Sequence, residues 1–437
     1  MAAPVKHSVL IVSYYYPPHG GAGVQRTLAL ARHLDAYGWD PVVLAGPRDS
    51  STPWSPLDPV LEDEHATRVA RIESQPPLAS QWRRRASSLL GRPTDFEGWF
   101  ERESLRVAGG LPAGVDVVLG ELGPYPCASG ITKVAGLLDV PLVLDLQDPW
   151  AFDEMWVYPS RVHRHADLRR MRDTLRRADA VIMNTPEAAA VVRDAFGELP
   201  TVCAIPNGFN AGDFSSDSVS RNEVFTIVHT GTLHTAAGML HRRRRRLRKA
   251  LGGLPLPDVD FLSRSHVFLM EALRLVQADP RYAGRIRVVL AGAGHAGDEV
   301  ASAGIVRNLG FLSHGRTIEL MESADLLFLP MHDLPPGTNA RIVPAKTYEY
   351  AASGRPILAA VPDGDARRFL GGVGTATLVR PRDVEGMADA IRRSFAAWEG
   401  ELPLPRPDRA RVEEREWSLL VARIARVLDS VGGTGAR

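Results

Sequence analysis

Cysteine is nearly missing from this chain of 437 residues: Cys127 and Cys203 are the only two, far apart and in apolar surroundings. That excludes a disulfide framework and fits buried thiols in a reducing compartment. No Cys/His cluster has the spacing of a zinc site, so no metal is expected. No apolar run approaches the ~18 residues that a spanning helix needs, and the opening MAAPVKHSVLIVSYYYPP has too short an apolar stretch for a signal peptide. The expectation is a cytoplasmic protein, at most peripheral at the inner face of a membrane. An excess of one charge is missing as well. The 52 basic and 51 acidic residues leave a formal net charge of +1, with no global pull toward nucleic acid. HGGAGV at residues 19–24 lacks the G-x-G-x-x-G spacing, and no lone acid ends the next strand, PVVLAG; both count against a nicotinamide dehydrogenase.

What is present is a soluble globular composition, 45% apolar and 24% charged, at a length that implies two or three domains. Short β-branched runs alternate with amphipathic helical stretches, the pattern of doubly wound α/β domains. In the first half the strands are SVLIVSY, PVVLAG, VDVVLG, PLVLDL, AVIMN and TVCAIP. The turn Pro206-Asn207-Gly208 and the polar stretch after it mark a linker. Alternation restarts with FTIVHTG, RIRVVLAG, VRNLGF, LLFLP and PILAAV. The predicted organisation is a first domain over 1–208, a second over 209–405, and a strap helix with a frayed tail over 406–437. Residues 48–110 read as an irregular, lid-like insertion in the first domain. Residues 236–264 read as a basic insertion in the second.

Asn339 to Leu358 concentrates the chemistry. Pro344 is suited to a first helical turn, AKTYEYAAS holds good helix formers, and Gly354 and Pro356 stop the helix. Lys346 and Glu349, three apart, share a face. A helix start with a nearby lysine suits phosphate, and a carboxylate one turn on suits a ribose diol. The plain alternative is a surface ion pair worth about 0.2–0.5 kcal/mol. Near the N-terminus, Gly20, Gly21 and Gly23 at a strand-to-helix turn let backbone approach a bulky anion, with an ordinary tight turn as the alternative.

The basic insertion contains Arg242 to Arg246 in succession, then Arg248 and Lys249. A solvated, mobile charge run is one reading; contact with an anionic membrane or an acidic acceptor is the other. No aromatic residues interleave the arginines, so nucleic acid is not expected. The acid pairs Asp258/Asp260 and Asp363/Asp365 look like short metal motifs, although the first lies in the insertion and Asp365 reads as a helix N-cap.

Taken together these segments resemble the retaining glycosyltransferases of family 4, closest to bacterial enzymes that build surface polysaccharide. The carrying residues are VLIVSYYYPPHGGAGVQRTLALARHLDAYGWDPVVL, the hinge IPNGF, VHTGTL, GFLSHGRTIELMESADLLFLP, PAKTYEYAASGRPILA, and the DLQDPW that closes the fifth strand. The resemblance implies a GT-B fold, two Rossmann-like domains facing across a cleft, and transfer of a sugar from a nucleotide-sugar donor, UDP being the favoured base, to an acceptor hydroxyl. It implies no cofactor and no metal. It places Glu349 on the donor ribose, Lys346 and the amides of Ile342, Val343, Pro344 and Ala345 at the diphosphate, and Gly21 and its neighbours near that diphosphate. Gly231 and Thr232 fall in the donor loop, and Arg264 is assigned the family's cation at the diphosphate. Two positions depart from the pattern: Arg341 stands where a second glutamate contacts the sugar, and Gln147, beside Asp148, stands where many members have histidine. Asp148 and Glu121 are the candidates to orient the acceptor, the alternative for Glu121 being a solvated loop acid. The rival functions are a catalytically silent nucleotide-binding scaffold and a nucleotide-sugar epimerase.

Overall fold

The computed structural model describes residues 7–50, 55–61, 68–77, 94–215, 222–256, 258–292 and 304–432. The frayed tail expected after Gly432, the middle of the 48–110 stretch and part of the polar linker lie outside the described residues. The chain forms two compact units, Met1–Asn207 with Trp417–Arg437, and Gly208–Glu416.

In the first unit, β1 (His7–Ser13), β2 (Trp39–Ala45), β3 (Arg68–Arg71), β4 (Val117–Glu121), β5 (Leu142–Leu146), β6 (Ala180–Met183) and β7 (Thr201–Ala204) make one parallel sheet, ordered β3-β2-β1-β4-β5-β6-β7. The central strands are almost continuous apolar runs because helices cover both faces. Those helices are α1 (Ala22–His33), α2 (Asp95–Gly109), α3 (Ala128–Leu138), α4 (Arg161–Leu175) and α5 (Pro186–Phe196). Local chemistry sets their ends. The Thr94 hydroxyl accepts from Glu97 N, Thr185 accepts from Ala188 N ahead of Pro186, and Gly38, at φ 83°, reverses the chain after α1 and its following turn. Within the stretch expected to be irregular, β3 is the edge strand of the sheet, and Trp99 and Phe100 of α2 are buried in the core.

The second unit holds β8 (Phe225–Thr230), β9 (Ile286–Ala291), β10 (Val306–Asn308), β11 (Leu326–Pro330), β12 (Ile357–Ala360) and β13 (Ala376–Val379), all parallel in the order β10-β9-β8-β11-β12-β13. Its helices are α6 (Thr235–Ala250), α7 (Val267–Gln277), α8 (His314–Glu322), α9 (Lys346–Ala352), α10 (Asp365–Leu370), α11 (Val384–Glu399) and α12 (Arg409–Glu413). The basic run therefore lies on a regular helix. Asp365 is the first residue of α10, and Gly364, at φ 132°, occupies the cap position expected for it. The last helix, α13 (Trp417–Gly432), returns to the first unit. Its Trp417, Leu420, Val421, Ile424 and Leu428 share a core with Val9, Ile11, Val43 and Leu119.

Candidate functional site

Open parallel sheets bind ligands beyond the carboxyl ends of their strands, where the strand order reverses. In the first unit that point lies between β1 and β4, the two strands at which the order turns back. Ser13 ends β1 and Glu121 ends β4, and the Ser13 hydroxyl donates to Glu121 Oε2 across the gap at 3.1 Å. Gln147, one residue past β5, donates through Nε2 to Glu121 Oε1 at 3.1 Å and to Gly23 O at 2.9 Å. A side chain from the fifth strand thus ties the first turn of α1 to the acid. Glu121 is only 3% exposed, so the alternative of a solvated loop acid is overturned. Burial, reinforced by the charge of Asp145, pushes its carboxyl up to about 8, while Ser13, Gln147 and Arg26 act in the opposite sense. Asp148 lies beside Gln147 and is exposed.

Around this point Gly20 is held by backbone: its N–H donates to Pro56 O and its O accepts from the Ser55 hydroxyl. Gly21, at φ 93°, caps α1, a conformation that favours glycine. Gly23 differs. It sits exposed in the first helical turn, and a Cβ built there meets nothing within 4 Å. Packing does not require glycine at position 23. Beneath, Arg26 grips Asp145 with a fork, Nε to Oδ2 at 2.6 Å and Nη2 to Oδ1 at 2.8 Å, and donates through Nη1 to Ile205 O and Pro206 O.

In the second unit the order reverses between β8 and β11. Gly231, at φ 95°, follows β8, and a Cβ on it would stand 2.4 Å from Lys346 Nζ. The lysine therefore fills the space that a side chain would take. Its helix is seated on β8 by Tyr350, whose hydroxyl accepts from Thr230 N at 2.8 Å. His229 Nδ1 donates to Phe328 O at 2.9 Å, leaving Nε2 to accept from Lys346 Nζ at 3.4 Å. Burial first, and Lys346 second, hold the His229 imidazole well below its usual range, so it is neutral. Lys346 itself is pulled down to about 7 by loss of solvent and by the guanidinium of Arg264, against a smaller opposing effect from Glu349.

No ion pair joins Lys346 to Glu349 among the described residues, so the surface-pair alternative is not realised. Burial raises the Glu349 carboxyl above its usual range, Asp213 adds to this, and His314 and Lys346 oppose it. His314 and Asp213 are themselves paired at 2.9 Å. No side chain among the described residues hydrogen-bonds the Glu349 carboxylate.

The structure thus brings Lys346 and Gly231 together, with Glu349 one turn along α9, and the Arg264 backbone carbonyl accepts from His234 N just past that turn. Thr232 follows Gly231 and is partly exposed. Ile342 and Val343 are buried ahead of the helix, whereas Arg341, Pro344 and Ala345 are partly exposed. The acid pairs are engaged by arginine. Asp260 accepts from Nε and Nη2 of Arg242, Asp258 pairs with Arg245 and Lys249, and Asp363 with Arg380. His229, Ser13, Tyr350 and Asp145 were missed in the sequence. The available signal was a polar residue inside an apolar buried strand, as in FTIVHT and LVLDL.

Comparison with known proteins places names beside this geometry. Residues 20–208 match the glycosyl transferase 4-like domain, and residues 262–396 match the glycosyl transferases group 1 domain. No curated protein matches the chain. Among solved structures, sucrose-phosphate synthase from Thermosynechococcus elongatus aligns with a TM-score of 0.62 at 16% identity, covering 98% of this chain and 100% of that one. Anabaena HepE in complex with UDP and glucose aligns at 0.59 and 17%, covering 97% and 100%. The α,α-trehalose 6-phosphate synthase of Burkholderia multivorans aligns at 0.57 and 12%, covering 99% and 98%.

Proposed function

The chain belongs to the glycosyltransferases of GT-B fold, and we propose from there that it moves a sugar from a UDP-sugar donor to an acceptor hydroxyl with retention of configuration. One observation carries the reading: Lys346 reaches the turn at Gly231 beyond β8, feels the charge of Arg264, and has no carboxylate within ion-pair distance among the described residues. Lost solvent and a nearby guanidinium disfavour the charged form of Lys346 until an anion joins it, and a diphosphate is such an anion. In this reading the donor diphosphate lies against Lys346, Arg264, the backbone of Gly231 and Thr232, and the segment Arg341 to Ala345. Glu349, without a side-chain hydrogen-bond partner among the described residues, takes the ribose hydroxyls. The solved HepE structures hold UDP and UDP-glucose, which favours uridine as the base here.

The bond from the anomeric carbon to the phosphate oxygen breaks, its electron pair staying on the phosphate. The acceptor oxygen bonds the anomeric carbon from the same face and gives its proton to the departing phosphate oxygen. Fixed cations at the leaving group offset the charge that develops, usually the largest catalytic contribution. Glu121 is too deeply buried to meet the acceptor; it is a positioning residue that acts through Gln147. Gln147 and the exposed Asp148 orient the hydroxyl.

UDP and UDP-sugars should raise the melting temperature by mass action, and Glu349→Ala should weaken UDP binding by about 1.5–3 kcal/mol, the loss of a charged hydrogen bond. Calorimetry returning an unchanged Kd would remove Glu349 from the ribose. Release of UDP that depends on an added acceptor separates transfer from a silent scaffold. A changed sugar on an intact nucleotide would mark an epimerase.

A second prediction follows from the open space at Gly23, which in this reading keeps the first sheet's ligand end accessible. Gly23→Ala should leave the melting temperature unchanged or stabilise the fold by up to about 1 kcal/mol, as alanine does in a helix. Turnover should nevertheless fall about tenfold or more through displacement of the ligand. Full activity in this variant would show that nothing approaches Gly23.

A further inference from the structure

Helix α6 carries its charge in two unlike halves. Arg242, Arg245 and Lys249 face the unit and are paired with Asp258 and Asp260. Gly238 and His241 are buried on the same side; a Cβ on Gly238 would strike Leu262 backbone at 2.5 Å, and the His241 ring stacks on Phe261 at 3.9 Å. The outer half is different. Arg243, Arg244 and Arg246 are exposed and make no ion pair or hydrogen bond among the described residues. Between and beside them stand Met239, Leu240, Leu247 and Leu251, exposed by 39%, 44%, 62% and 46%. Leu240, Leu247 and Leu251, at spacings of seven and four, line one stripe of the helix, and the arginines lie on and beside it.

We propose that this outer face docks on an anionic phospholipid surface. A run that only kept the chain soluble would not expose four large apolar side chains along its own axis. Acyl chains can take the leucines while headgroup phosphates take the arginines, the pairing that holds an amphipathic helix in the interfacial plane. An RNA backbone would satisfy the arginines and leave the leucines in water. A second copy of the same face would set like charges against one another. The inner arginines take no part, because they face the unit and are engaged by its aspartates. Since α6 begins at Thr235, four residues after Gly231, docking would hold the carboxyl end of β8 close to the lipid.

The test uses the full chain and sedimentation with vesicles of phosphatidylcholine alone or mixed with phosphatidylglycerol. Binding to the mixed vesicles only, weakened by salt, is expected. The triple variant Arg243→Gln, Arg244→Gln, Arg246→Gln should lower the partition coefficient about a hundredfold, roughly fivefold for each arginine. Leu240→Ser with Leu247→Ser should lower it at every salt concentration. Both variants should keep the wild-type melting temperature, because all five side chains are exposed. Failure to sediment with mixed vesicles, or undiminished binding by the arginine variant, overturns the proposal. A leucine variant that binds like wild type, with RNA displacing the vesicles, would reassign the face to polyanions in general.

Discussion

Lys346→Ala should lower kcat by about 10²–10³, the usual cost of removing one fixed group that stabilises developing charge. Unchanged turnover would take the lysine out of the site. Its setting adds a signature in pH. With Lys346 near 7 in the free protein, the charged form dominates below neutrality and is lost as pH rises, so kcat/KM should fall on the alkaline side. A bound diphosphate favours the charged form and raises that value. At about pH 8, a unit higher, UDP binding should therefore take up a proton, and the calorimetric enthalpy should vary with the ionisation heat of the buffer. Lys346→Arg, permanently charged, should abolish that variation. The same enthalpy in every buffer with the wild-type protein would show that Lys346 does not change protonation on binding.

The largest stability effect is expected at Arg26. Its side chain is 1% exposed and its fork holds Asp145, which is wholly buried, while its remaining nitrogen reaches Ile205 O and Pro206 O at 3.1 and 2.9 Å. The guanidinium also lies 5.9 Å from the Trp417 ring centroid, so one residue of α1 contacts β5, the segment after β7 and the start of α13. Arg26→Ala leaves Asp145 charged and unpaired in the core and should cost about 3–5 kcal/mol in chemical denaturation. Combining Arg26→Met with Asp145→Leu should recover much of that loss, because an apolar pair leaves no buried charge. A double variant as unstable as Arg26→Ala alone would mean that the carbonyl contacts, not the ion pair, dominate.

The fold was legible wherever strands were buried on both faces. SVLIVSY, PVVLAG, VDVVLG and PILAAV are apolar runs because helices cover them, and each is a strand. The strands that escaped notice are edges. RVAR in β3 and ATLV in β13 are mostly exposed or half-buried, so neither shows a continuous apolar run. The basic helix was obscured by its own composition. Five successive arginines suggest a solvated, mobile run; the aspartates at 258 and 260, which look like a metal motif in isolation, supply partners for Arg242 and Arg245. At the site, the spacing of Lys346 and Glu349 gave the shared face but not what each meets. That depended on strand ends far away in sequence: His229 and Gly231 against the lysine, Asp213 and His314 near the glutamate. Glu121 was misjudged for a similar reason. LGELGPYP looks like a loop, and only the neighbouring strands β1 and β5 show that its acid is enclosed.

The return of α13 to the first unit bears on how the chain is made. One face of that sheet, with Val9, Ile11, Val43 and Leu119, is covered by Leu420, Val421, Ile424 and Leu428 from the far end of the sequence. During synthesis the amino-terminal half therefore emerges with part of that oily surface, beyond what Leu28, Leu30 and Leu34 cover, bare until the whole second unit has left the ribosome. Released alone as residues 1–207, it should need a chaperone or aggregate, whereas adding residues 417–432 back as a separate peptide should restore its solubility.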